Sequence, residues 1–134
     1  MKPDVQSRED IDVLMNEFYS RALKDDLIGY IFTDVAHLDL DHHLPVIGDF
    51  WETVLFKTGD YARHGRNPMQ VHLALNMKEH LKPEHFERWL ELFYAVIDEN
   101  FEGVNTAILK QKAAFMAERL SSVCGGAPTL GISR

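Results

Sequence analysis

One cysteine, Cys124, stands in 134 residues, so no internal disulfide can staple the chain and a reducing compartment suits it. Positive charge is also scarce. Lys and Arg number 14 against 21 Asp and Glu, giving a formal charge of −7, and the 14 are scattered. No basic stripe is left for nucleic acid or an anionic membrane. No apolar run approaches the roughly 18 residues of a transmembrane helix. Met1-Lys2-Pro3-Asp4 opens without a signal-peptide core, so a cytoplasmic location is expected. No segment alternates apolar and polar residues as a half-buried strand does, and no internal repeat is present. These absences predict a single all-α domain over 1–126, followed by a mobile tail over 127–134 that has little to bury.

Several chemistries are excluded in the same way. There is no His-Glu-x-x-His pair, no Cys pair and no repeated Glu-x-x-His, which argues against zinc and di-iron carboxylate sites. A Gly-rich phosphate loop, a nucleophile elbow and a Cys-x-x-Cys-His haem-attachment motif are missing too.

What the chain does have is helical periodicity. Ile11, Leu14, Met15, Phe18 and Ala22 form a 3–4 stripe, started by Ser7 with Asp10 three residues on. A short helical piece is predicted over Leu27 to Phe32. Leu44, Ile47, Phe50, Trp51, Val54 and Leu55 make a second stripe, beginning near Asp39 or Asp41 with Pro45 in its first turn. A turn-rich segment with Gly59 and Gly65 follows. Pro83 opens a helix carrying Phe86, Trp89, Leu90, Phe93, Val96 and Ile97. The last helix places Leu109, Ala113, Met116, Leu120 and Val123 on one face, and Gly125-Gly126 stops it.

Between these lies Asn67-Pro68-Met69-Gln70-Val71-His72-Leu73-Ala74-Leu75, a sharply started short helix. Asn67 suits the cap and Pro68 the first position, where no backbone N–H is needed. Met69, His72 and Leu73 then share a face, so His72 points where core residues point. A histidine held there is either a satisfied core residue or a metal ligand. The other histidines read differently. His37, His64, His80 and His85 lie among polar neighbours and are expected on the solvated surface, and only one of His42 and His43 can face inward. Aromatic residues gather on the apolar faces of four segments. Two of them, Tyr19 and Trp89, carry a polar atom that needs a partner when buried. They fit either an aromatic core or the walls and donors of a pocket for a large flat apolar cofactor.

Leu14-Met15-x-x-Phe18-Tyr19, Gly29-x-Ile31-Phe32, His43-x-x-x-Ile47-Gly48-x-Phe50-Trp51, Gly59-Asp60-Tyr61, Asn67-Pro68-Met69-x-x-His72 and Phe86-x-Arg88-Trp89-Leu90-x-Leu92-Phe93 resemble the truncated haemoglobins, group III most of all. The resemblance covers roughly residues 7 to 124. It implies a two-over-two helical sandwich, a shortened globin with an almost vestigial first helix, and a non-covalent haem b. By that resemblance His72 matches the proximal iron ligand, and Tyr19 and Trp89 match the distal hydrogen-bonding pair. His43 matches the distal-helix histidine, either a gate or a fixed donor. Phe32, Ile47, Phe50, Trp51 and Phe86 would line the cofactor. The loop around Arg63-His64-Gly65 is where propionate contacts would be sought.

Donors near a bound oxygen make charge-assisted hydrogen bonds worth on the order of 1.5–3 kcal/mol each. The second ring nitrogen of His72 wants an acceptor such as the Pro68 carbonyl, and no carboxylate lies three or four residues away. That favours binding of oxygen and other small ligands, nitric oxide among them, over a dedicated peroxidase. Two further readings stay open: a haem enzyme such as a nitric oxide dioxygenase served by a separate reductase, and a cofactor-free helical interaction module.

Overall fold

The computed structural model describes residues 1–58, 61–65 and 67–126, and the expected tail over 127–134 lies outside them. Five α-helices carry the fold: α1 (Arg8–Ala22), α2 (Leu40–Phe56), α3 (Pro68–Lys78), α4 (Pro83–Asn100) and α5 (Val104–Ser121). No strand occurs among the described residues. α1 packs on α2, α4 packs on α5, and α1 crosses α4 to join the two pairs, giving a two-over-two sandwich. Its centre is the stripe of α1 (Ile11, Leu14, Met15, Phe18 and Ala22, all buried) against Phe93, Val96 and Ile97 of α4 and Leu109 and Ala113 of α5.

The helix starts follow from their caps. Ser7 accepts from the Asp10 N–H at 3.4 Å, and the Asp10 carboxylate reaches back one residue further than a capping box does, to the Gln6 N–H at 2.8 Å. Asn67 accepts from the N–H groups of Met69 and Gln70, with Pro68 at the first position of α3. Asp39 caps α2, which places Pro45 in the second turn rather than the first. There Pro45 lacks the N–H that would bond the Asp41 carbonyl, one missing bond that the surrounding helix tolerates.

Three other expectations are corrected. The short helical piece near 27–32 runs later, as a π-helical turn over Ile31–Val35, because the Asp25 carboxylate ties up the N–H groups of Leu27 and Ile28 in a turn first. Val123 is 41% exposed, since α5 ends at Ser121 and a π-helical turn over Ser122–Gly126 rotates it off the buried face. In α3 Met69 packs against the core and His72 faces inward as expected, but Leu73 is exposed, and Pro68, Val71, Leu75 and Lys78 line the cavity beside His72. No residue of α3 is fully buried. The helix borders an open space instead of filling the core.

Candidate functional site

That space is a cavity of about 380 Å³ walled by all five helices, within the range of roughly 300–1,000 Å³ usual for small-molecule and cofactor sites. Tyr19, Phe32, His43, Ile47, Phe50, Trp51, His72, Phe86 and Trp89 all stand in its wall. Among the described residues the wall contains no Asp or Glu.

His72 enters from α3. Its Nδ1 lies 2.7 Å from the Pro68 carbonyl, so that nitrogen carries the proton and Nε2 keeps a lone pair. Burial pulls the imidazole pKa below its usual 6.5, although the bond to Pro68 works the other way. The ring is therefore neutral at pH 7, the form in which imidazole binds a metal. Among the described residues no group of three or more His, Cys, Asp or Glu could hold a metal ion between them. One imidazole on an apolar slot would suit a metal that brings its remaining donors along, as iron in a porphyrin does.

Further polar groups of the wall come from α1, α2 and α4. Tyr19 is 5% exposed, and burial raises its pKa, keeping the phenol neutral. Its hydroxyl and the His43 Nε2 share a hydrogen bond at 2.9 Å, with the rings edge to face at 5.2 Å. Of the two adjacent histidines it is His43 that lines the cavity, while His42 is exposed. The His43 backbone is fixed inside α2, its N–H bonded to the Asp39 carbonyl at 2.8 Å. Trp89 lies stacked on Phe93 with centroids 5.0 Å apart, and its ring meets Phe18 edge-on at 5.8 Å. The indole N–H makes no hydrogen bond among the described residues, yet no buried side-chain donor is unsatisfied, so it opens on free space.

The chain is 29% identical over 126 residues to the group 3 truncated haemoglobin ctb of Campylobacter jejuni, covering 92% of this chain and 94% of that protein. The fold also matches the crystal structure of the group III truncated haemoglobin from Campylobacter jejuni, with a TM-score of 0.79 and 28% identity over 92% of this chain and 95% of that one. No family model matches. In both sequence and fold, then, the chain is similar to the group III truncated haemoglobins over nine-tenths of its length.

The cavity wall also includes residues for which the sequence pattern suggested no role there. His85 is only 7% exposed and lines the wall, against the expectation of a solvated side chain. Its polar neighbours Glu84 and Glu87 conceal it in the sequence, but its place one turn before Trp89 puts both on one face. Tyr61 lines the cavity too, its ring 5.0 Å from that of Phe50. His64 is half-buried rather than free in solvent. Its Nε2 bonds the buried Asp49 carboxylate at 2.8 Å, and Arg63 lies 3.6 Å from the same carboxylate. His37 and His80 are exposed, as their surroundings suggest.

Proposed function

We propose that the chain is a truncated haemoglobin that holds haem b non-covalently through His72 and binds oxygen and other small diatomic ligands between Tyr19, Trp89 and His43. The observation that carries the proposal is the His72 ring, held by the Pro68 carbonyl at 2.7 Å with Nε2 turned to an apolar cavity. When bound, haem would supply an iron able to take up a small diatomic ligand.

The chain's own residues do the rest. Phe32, Ile47, Phe50, Trp51 and Phe86 form the apolar walls that hold a flat macrocycle and keep water out. Tyr19 and the Trp89 indole would supply donors to that ligand from two different helices. Two tautomers make the Tyr19–His43 bond. With the proton on the His43 Nε2, the phenol oxygen accepts and the phenol proton is left for a ligand; with Nε2 bare, His43 takes that proton and covers the donor. His43 thus governs both access and donor strength. An interaction module has no use for a cavity of this size lined by three imidazoles, which favours the haem reading over it.

Purified protein should be red, with a Soret band that shifts on reduction. His72→Ala should lose haem on purification, and added imidazole should restore it. Normal haem content with an unchanged spectrum in that variant would sink the assignment.

A further inference from the structure

A porphyrin with two propionates needs partners for them, and the cavity wall is poor in cations. Arg63 and His64, in the loop where such contacts would be sought, are turned onto Asp49 and stand outside the wall. Among the described residues Lys78, in the last turn of α3, is the one Lys or Arg in the wall. His85 shares that wall. It sits at the third position of the 18-residue helix α4, whose first turn adds positive potential. The His85 Nδ1 accepts from the Lys82 N–H at 3.0 Å, so the ring proton of the neutral form is on Nε2. That Nε2–H has no partner among the described residues, and the ring is more than nine-tenths buried. Of the two carboxylates whose charge acts on His85, Glu84 is exposed and Glu79 is engaged by the Tyr30 hydroxyl at 2.8 Å. Tyr30 also meets the His85 ring edge-on at 6.2 Å and fixes its orientation.

Resting on the haem reading, we infer that Lys78 and His85 form a carboxylate subsite at the edge of the cavity and take one propionate of the porphyrin. A fixed N–H and a mobile ammonium on one wall suit a carboxylate, which accepts from both. Neither an apolar ligand nor a cation uses this pair.

The test compares haem with its dimethyl ester in the full-length protein, reading the rate of transfer to an acceptor apoglobin. Lys78→Met keeps the stem and removes the charge. His85→Glu keeps an acceptor for the Lys82 N–H, as a capping box does, and turns a donor into a repelling carboxylate. Each should speed loss of natural haem by roughly tenfold or more, the worth of a charged hydrogen bond. Neither should change loss of the ester by more than about twofold. Equal effects on both porphyrins, or none on natural haem, overturn the subsite while leaving the haem reading intact. Wild-type protein that takes up neither porphyrin overturns both.

Discussion

Tyr19 and Trp89 reach the pocket by different routes, and this determines how their substitution should read out. The phenol is buried and bonded to His43, whereas the indole N–H opens on free space beside the stacked Phe93 ring. Tyr19→Phe and Trp89→Phe each remove one donor and preserve most of the apolar volume. Both should accelerate oxygen dissociation from the haem-loaded protein, by roughly tenfold each. The double variant should fall short of the product, because the donors share one ligand. His43→Ala should change association more than dissociation, since the imidazole stands over the phenol. Stopped-flow traces decide the matter: dissociation altered less than about twofold by both single changes, well under a hydrogen bond's worth, removes the polar pocket.

At the scale of elements, much was legible where a local signal sets the geometry. The pair Asn67-Pro68 starts α3 and thereby aims His72, and the stripe from Ile11 to Ala22 faces the core as its spacing requires. Contacts between distant segments were not legible. The cap of α5 is the clearest case. Gly103 has no side chain to offer, and Asp4 supplies the carboxylate instead, accepting from the N–H groups of Asn105 at 3.0 Å and Thr106 at 2.8 Å. Gly103 has φ 141°, and a Cβ there would sit 2.5 Å from the Asp4 Cγ, so glycine is what admits the cap. Val5 beside it is fully buried, tying the leading segment to the core. No pattern within either segment announces a bond across about a hundred residues. His85 was missed for a related reason: polar neighbours describe the outside of a helix start, not the wall it turns inward. Asp4→Ala should cost about 1 kcal/mol, the usual worth of an N-terminal cap. Urea unfolding measures it, and unchanged stability would mean that Gly103 and solvent cap α5 adequately.

Over the whole molecule, three carboxylates bind segments far apart in sequence, and their titration should dominate acid stability. Partial burial works to raise the pKa of Asp4 and of Asp49, but hydrogen bonds outweigh it, from Asn105 and Thr106 in one case and from His64 and Arg8 in the other. Arg88, bonded from α4, holds Asp25 low. All three fall below the ordinary 3.8, so each binds fewer protons folded than unfolded. Their stabilisation is complete above that value and is lost as pH falls through it. His85 acts in the same direction at higher pH. Burial depresses its pKa below 6.5, so stability should begin to decline as pH falls past that point. The formal charge of −7 works the other way, because protonating exposed acids relieves self-repulsion. The paired groups should win, since Asp25 and Asp49 have side chains only 7% and 10% exposed and are weakly screened, whereas the remaining acids are mostly solvated. The urea midpoint should therefore hold steady from pH 8 to about 7, decline gently below 6.5, and fall steeply below about 4. Asp49→Asn should lower the neutral plateau and flatten the steep acid limb, because its stabilisation is already absent. A midpoint that rises on acidification, or an acid limb unchanged in Asp49→Asn, would assign the acid response to net charge instead.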